Sequence, residues 1–308
     1  MQGKNIKAYE KNPFVPPTDT GEADSMGAYG LTLTFGISPS FLKKMGLTHK
    51  QPKEFQDLPK FPRDQLRENL TGGDICIQAC AEDAQVAFHA VRQLVRQARS
   101  NITMRWSQSG FVGFDTGNHT PRNLFGFKDG TANQSTIKAA DKNLWADAPD
   151  WMKGGTYLVT RVIQMHLETW DRTSLKGQED TFGRHRDSGA AIGQKGEFDT
   201  FDVHAKDAQG KAVIPEISHM GLAKRTGVEM LRRSYSYSSG INPATGQFDS
   251  GLLFISFQKS PEQFIIIQNA LGRLDKMNEY TTHIGSGLFA CFGGILQGGY
   301  IGQALFEA

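Results

Sequence analysis

The chain has 308 residues, of which 38% are hydrophobic, so a sizeable core is available to one large domain or two ordinary ones. Its 34 basic and 32 acidic residues leave a net charge of +2, which argues against nucleic-acid binding as the main task. No apolar run of about 18 residues occurs, so the sequence predicts no membrane span.

The first half of the chain predicts three strands and one helix. Leu31–Phe35 alternates apolar and polar residues, as a half-buried strand does. Asp74–Cys80 is predicted as the next strand, and Asp83 as the N-cap of a helix that continues to about residue 100. Residues 102–112 are predicted to return as a strand, which gives the order strand, strand, helix, strand.

The second half repeats this order after a first strand and a long polar insert. Ser260 is predicted to begin a helix, with proline at the first helical position and Gln263 completing a capping box. The predicted strands of this half are 155–163, 230–237, 252–258 and 281–292.

This order of elements predicts an α+β fold. The second half has the strand and helix order of a ferredoxin-like unit, and the first half has the last four elements of the same unit. We therefore expect two ferredoxin-like halves, residues 1–145 and 146–308, with packed antiparallel sheets of the dimeric α/β-barrel type. An opening strand and helix are expected to precede Met1.

A glycine-punctuated segment at residues 123–133, Asn-Leu-Phe-Gly-Phe-Lys-Asp-Gly-Thr-Ala-Asn, is the most distinctive motif. The glycines near Asp129 allow a sharp turn and a close approach to a bound group. Phe125 and Phe127 can anchor such a loop in a core. A carboxylate presented in this way can carry a proton, although an isolated Asp-Gly is more often a plain surface turn.

The complete string resembles the Gly-x-x-Asp-Gly signature of the dye-decolourising haem peroxidases. It matches through Gly126, Asp129, Gly130, Thr131 and Asn133. The resemblance extends over nearly the whole chain and is to the exported, deferrochelatase-like branch. It implies the duplicated ferredoxin-like fold, haem b as the cofactor, and Asp129 as a catalytic residue.

An axial ligand for the haem iron has to come from one of eight histidines, and composition alone does not choose among them. The resemblance singles out His219 as cofactor and metal ligand, because the family's proximal histidine lies just upstream of a strand that begins Leu-Arg. In this chain that pair is Leu231 and Arg232.

Arg232 and Arg233 are adjacent in a predicted strand and therefore point to opposite faces. Arg232 shares its face with Ser234, and this combination suits a peroxide pocket that needs a permanent cation beside a small residue. The resemblance assigns Arg232 a catalytic role and places Ser234 beside the cofactor. A surface ion pair is the expected fate of Arg233.

Further cofactor contacts follow from the resemblance alone. Glu279 is expected to accept the second ring proton of the proximal histidine, since relatives carry a carboxylate before the last strand. Arg184 resembles a family residue near the haem propionates, and Asn133 is expected to help there. Thr131 belongs to the same predicted cofactor site. An exposed helix-end position for Glu279 and a surface ion pair for Arg184 are the alternatives.

The implied activity is reduction of hydrogen peroxide coupled to oxidation of bulky one-electron donors. A second hypothesis is deferrochelatase activity, in which haem is the substrate and iron leaves an intact porphyrin. A third is a non-catalytic ferredoxin-like protein that binds haem or another small ligand. A chlorite-dismutase-like enzyme shares the architecture, but the segment from Gly126 to Gly130 argues against it.

The resemblance also suggests partners and a location. Components of an iron-uptake system and a homodimer are the expected protein partners, with no nucleic acid. The first residues lack the apolar core of a signal peptide. Export by the twin-arginine route to the extracytoplasmic side is nevertheless expected, with the signal preceding Met1.

Overall fold

The computed structural model describes residues 13–113 and 119–307. Within them the chain forms seven strands and nine α-helices. The strands are β1 (Thr32–Ile37), β2 (Ile75–Cys80), β3 (Thr156–Met165), β4 (Leu231–Arg232), β5 (Tyr235–Asn242), β6 (Gln247–Gln258) and β7 (Thr281–Cys291). The helices are α1 (Pro39–Lys44), α2 (Ala84–Ala98), α3 (Asn133–Lys138), α4 (Ala140–Asn143), α5 (Leu167–Trp170), α6 (Leu175–Phe182), α7 (His219–Arg225), α8 (Pro261–Leu274) and α9 (Gln303–Phe306).

The strands pair in the order β2-β1-β7-β3-β6-β4, and β5 also pairs with β6. All of these strand pairs are antiparallel, which confirms the predicted α+β class. The strands of the two halves meet where Gly36 and Ile37 of β1 pair with Cys291 and Ala290 of β7. The division at residue 145 stays a prediction.

Two predicted strands differ from the structure. Residues 102–112 contain no regular strand, only an isolated antiparallel bridge of Phe111 with Ser236. The side chains of Arg105 and Trp106 donate instead to the backbone carbonyls of Thr71 and Gly72. The predicted strand 230–237 is divided into β4 and β5. At the break the hydroxyl of Ser234 accepts the N–H of Ile255 at 3.4 Å, a position where a ladder would supply a carbonyl.

The central strand β3 is buried on both faces over residues 156–162, although its sequence includes the polar Thr160 and Arg161. One face packs with Phe264 of α8 in the main core, and the other packs with residues of β6 and β7. The predicted capping box at the start of α8 is confirmed by Ser260 and Gln263. Helix α8 ends at Leu274, and the next residue, Asp275, contacts His219 at the start of α7.

Candidate functional site

The loop at residues 123–131 is anchored as its phenylalanines predict. Phe125 and Phe127 are 3% and 1% exposed. The Phe127 ring stacks on Phe182 at 4.0 Å between ring centres, and the indole N–H of Trp170 donates to the Phe125 carbonyl. This aromatic cluster fixes the base of the loop within the second-half core.

Two glycines give the loop its shape. Gly126 and Gly130 have φ values of +81° and +123°, which side-chain-bearing residues rarely adopt. A Cβ at Gly126 would also lie 3.1 Å from the guanidinium of Arg186. The backbone N–H of Asp129 donates to the carbonyl of Pro121 at 2.8 Å. The turn thus presents the Asp129 carboxylate at the end of a constrained loop.

Asp129 and Arg232 are brought together, as their predicted roles require. Arg232 Nη1 lies 3.2 Å from Asp129 Oδ1, and both side chains are partly exposed. Asn133 makes two hydrogen bonds to the backbone of Arg232: its amide donates to the Arg232 carbonyl at 2.6 Å and its oxygen accepts the Arg232 N–H at 3.0 Å. Asn133 therefore joins the loop to β4 and sets the position of the guanidinium.

Arg232 and Arg233 lie on opposite faces of the sheet, as predicted. Arg232 pairs across the ladder with Ser256, on the face that α8 covers. Arg233 donates to the hydroxyl of Tyr235 and lines a cavity of about 2280 Å³ between α2 and the other face. His219 and Arg232 are not among the described residues that line this cavity, so the large volume is separate from the site.

His219 is the first residue of α7, and its ring is oriented by a buried carboxylate. Nδ1 lies 2.6 Å from Oδ2 of Asp275, whose side chain is 3% exposed. The other oxygen of Asp275 accepts the backbone N–H of Met277 at 2.9 Å. Glu279 is exposed at the end of the short helix that follows. The acceptor is therefore Asp275 and not the predicted Glu279.

The electrostatics of this pair select one form of the imidazole. Burial lowers the pKa of His219, but the charge and hydrogen bond of Asp275 outweigh burial, and the net pKa is raised. A carboxylate can only accept, so Nδ1 carries the proton. No described residue hydrogen-bonds Nε2, and a third of the side chain is exposed. In the neutral imidazole Nε2 is therefore unprotonated and can ligate a metal.

The remaining residues that were predicted to contact the cofactor form hydrogen bonds with other protein groups. The Thr131 hydroxyl donates to Glu197 at 2.8 Å, and the Ser234 hydroxyl accepts from the backbone. Arg184 donates to the Gly189 carbonyl at 2.7 Å. Burial and then the nearby Arg232 lower the pKa of Arg184, against the opposing effect of Glu197. Two guanidiniums that repel each other favour the binding of an anion such as a propionate.

These groups define a class of protein. A histidine that is held by a buried carboxylate and keeps Nε2 free is a suitable axial ligand for haem iron. Asp129 and Arg232 place a carboxylate beside a permanent cation, the two kinds of group that peroxide reduction can use. The residues present therefore fit a haem group, and the α+β scaffold with this site is that of a haem peroxidase.

Comparison with known proteins identifies the family. The family described as "Dyp-type peroxidase, C-terminal" matches residues 120–295, and "Dyp-type peroxidase, N-terminal" matches residues 1–112. The chain belongs to the Dyp-type peroxidase family, and it is an enzyme with haem as its cofactor.

Individual relatives agree with this assignment. The chain is 38% identical to a deferrochelatase of Shigella sonnei over 96% of its own length and 74% of that protein. It is 37% identical to DtpA from Streptomyces lividans, with a TM-score of 0.89 over 93% of this chain and 81% of that one. A DyP-type peroxidase from Cellulomonas bogoriensis is also 37% identical, with a TM-score of 0.86 over 91% and 80%.

Proposed function

We propose that this enzyme reduces hydrogen peroxide at haem and oxidises bulky one-electron donors such as dyes, with Asp129 and Arg232 as its catalytic residues. The observation that carries the proposal is the Asp129–Arg232 pair, at 3.2 Å, on a scaffold that also holds the His219–Asp275 pair. When bound, haem supplies the iron at which peroxide is reduced. One peroxide takes two electrons and two protons to become two waters, so two one-electron donors complete each cycle.

Asp129 is suited to move a proton between the two oxygens of peroxide. Its Oδ1 faces Arg232, whereas no described residue hydrogen-bonds its Oδ2. Oδ2 accepts the proton from one peroxide oxygen and returns it to the other, which then leaves as water. Arg232 cannot exchange a proton, because guanidinium stays charged. It stabilises the negative charge that develops as the oxygen–oxygen bond breaks.

The other predicted residues divide between holding haem and holding the catalytic pair. His219 would hold haem iron through Nε2, and Asp275 would raise the basicity of the ring. Arg184 would pair with a propionate, whose negative charge would offset its repulsion with Arg232. Asn133 sets the position of Arg232 instead of contacting a propionate, because both ends of its amide already bond the backbone.

Deferrochelatase activity is a second candidate, favoured by the 38% identity to a protein of that name. In this reaction two protons replace iron and the porphyrin stays intact. Anaerobic incubation with haem, followed by chromatography of the products, tests it. Free protoporphyrin supports this activity, and unchanged haem after many enzyme equivalents contradicts it. Iron-uptake components and a homodimer are the partners proposed with this activity.

The proposed location is extracytoplasmic, after export by the twin-arginine route. Among residues 13–113 and 119–307, no helix combines the length and apolarity that a membrane crossing needs. Fractionation of cells that express the enzyme from its own gene tests the location, with a strain that lacks the twin-arginine translocase as the control. Equal recovery of cytoplasmic enzyme from both strains would contradict the proposal.

Stopped-flow mixing of haem-loaded enzyme with peroxide tests the catalytic assignment. Asp129→Asn removes the proton carrier, and Arg232→Leu removes the cation. Each should slow the first spectral change, by about 10²–10³-fold if the loss resembles that of an oxyanion donor. Asp180→Asn, in an exposed pair with Lys176, is the matched control for loss of one charge. If both variants keep haem and react at the parental rate, the assignment is wrong.

A further inference from the structure

Glu197, in the polar insert between α6 and α7, contacts the catalytic loop at two points. Its side chain is 8% exposed, which is unusual for a glutamate. Oε2 lies 2.5 Å from Nζ of Lys128, and Oε1 accepts the hydroxyl of Thr131 at 2.8 Å. One buried carboxylate therefore holds both ends of the four-residue stretch that contains Asp129 and Gly130.

The stretch needs such support because its own backbone is permissive. Gly130 has φ +123° and no Cβ to restrict its rotation. The backbone of these two residues makes two hydrogen bonds: the Asp129 N–H donates to the Pro121 carbonyl, and the Gly130 carbonyl accepts the N–H of Asn133. A change of φ or ψ at Gly130 would swing the Asp129 carboxylate relative to Arg232. Contacts on both sides of these two residues remove that freedom.

Charge and burial make the contacts firm. Burial alone would raise the pKa of Glu197, but hydrogen bonds from Lys128, Thr120 and Thr131 outweigh it and hold the pKa below its usual range. The carboxylate therefore stays ionised and accepts at both oxygens. Loss of Lys128 would leave the carboxylate without its cationic partner in a site largely shielded from water, which proteins tolerate poorly.

We propose that Glu197 is a positioning residue for the peroxide reaction. Its carboxylate fixes residues 128–131 so that Asp129 is placed against Arg232 and can reach peroxide. The proposal rests on the proposed role of Asp129. It differs from a merely structural role, in which Glu197 would tie the insert to the loop without any effect on the reaction.

The decisive variants remove the contacts one at a time in haem-loaded enzyme. Glu197→Ala removes both, Thr131→Val removes one, and Lys128→Met removes the other. Lys128→Arg keeps a cation beside Glu197 and serves as the conservative rescue. Asp180→Ala, in the exposed Lys176 pair, is the surface control.

Two measurements are made on each variant: the second-order rate constant for the reaction with peroxide, and hydrogen exchange of peptides that cover residues 120–133 and helix α8. Glu197→Ala should react about 10- to 100-fold more slowly, as expected for a catalytic group displaced by about 1 Å. Loop amides should exchange faster, with α8 and haem content unchanged. Lys128→Met should show a smaller effect in the same direction, and Lys128→Arg should stay near the parental rate.

Different results would contradict the positioning role of Glu197 and the catalytic role of Asp129. A parental peroxide rate in Glu197→Ala, with or without faster loop exchange, overturns the positioning role. If Glu197→Ala fails to fold, Lys128→Met and Thr131→Val are measured instead. A parental peroxide rate in both of them overturns the positioning role, whatever their loop exchange. If Asp129→Asn itself reacts at the parental rate, the proposed function fails instead.

Discussion

Replacing Asp275 with Asn removes one negative charge and leaves the shape of the side chain almost unchanged. In the native protein its two oxygens have separate tasks: Oδ1 accepts the N–H of Met277, and Oδ2 faces Nδ1 of His219. Asn has one oxygen for these two donors. If that oxygen stays with Met277, the amide NH₂ faces Nδ1, which must then lose its proton to Nε2. A protonated Nε2 cannot ligate iron.

The expected decrease in haem affinity can be worked out for both arrangements of the substituted side chain. If the Asn oxygen turns to His219 instead, a charge-assisted hydrogen bond becomes a neutral one, at a cost of roughly 1–1.5 kcal/mol. Loss of a carboxylate behind a metal-ligating histidine typically weakens metal binding by about 10- to 100-fold, equivalent to about 1.4–2.7 kcal/mol. We expect a decrease of that size in haem affinity for Asp275→Asn.

Titration of haem into haem-depleted protein, followed by absorbance, measures this affinity directly. Glu279→Gln is the matched control, because it makes the same chemical change at an exposed carboxylate four residues away. We expect Glu279→Gln to bind haem as the parent does. Parental affinity in Asp275→Asn, or a larger loss in Glu279→Gln, would refute the assignment of Asp275 as the partner of His219.

Three further predictions concern stability, measured by urea unfolding of haem-free protein. Phe127→Ala should lose about 3–5 kcal/mol, because the ring is 1% exposed and stacked on Phe182. Asp64→Asn should also lose about 3–5 kcal/mol, since it leaves the Arg161 guanidinium without its partner in a pair whose side chains are each 1% exposed. His283→Gln should be more stable than the parent at pH 5 by about 2 kcal/mol, while the two remain close at pH 8.

The environment of His283 determines the direction in which pH changes the stability of the parent. Burial, with Arg161 and His219 nearby, lowers its pKa from 6.5 to about 3. The folded state therefore disfavours the proton, so this contribution to stability is complete above pH 6.5 and is lost as pH falls from 6.5 towards 3. At pH 5, which is about 1.5 units below the unfolded-state pKa of about 6.5, proton binding stabilises the unfolded state by about 2 kcal/mol.

Each stability prediction has a control or a result that would contradict it. Phe88→Ala, at a ring that is 60% exposed, should cost far less than Phe127→Ala. Asp147→Asn, in the Lys259 pair with an aspartate 77% exposed, should change stability little. Identical pH dependence in the parent and His283→Gln would show that this histidine does not bind its proton differently on unfolding.

Local chemistry in the sequence was sufficient to predict several features. Ser260 and Gln263 predict their capping box because a helix start is decided within four residues. The opposite directions of Arg232 and Arg233 follow from the period of a strand. The loop around Asp129 was predicted from its glycines and phenylalanines, whose conformational freedom and burial are properties of those residue types.

The partners of these groups depended on the tertiary structure. Asp275 and Glu279 are both carboxylates near the end of α8, and only the packing of α7 against α8 shows which of them reaches His219. Residues 102–112 have a strand-like composition, but Arg105 and Trp106 bond loop carbonyls instead. Side chains far apart in sequence meet through the fold, and no local pattern records such a meeting.

Glu197 shows the same limit most clearly. In sequence it is one more acidic residue in a long polar insert, 66 positions from Thr131. In the structure its side chain is 8% exposed, its pKa is lowered by its hydrogen bonds, and it bonds to both sides of Asp129. The sequence determined which residue types were available for peroxide chemistry, because reactivity belongs to the side chain. The tertiary structure decided which of them are held in place, because burial and pairing arise only when distant segments pack together.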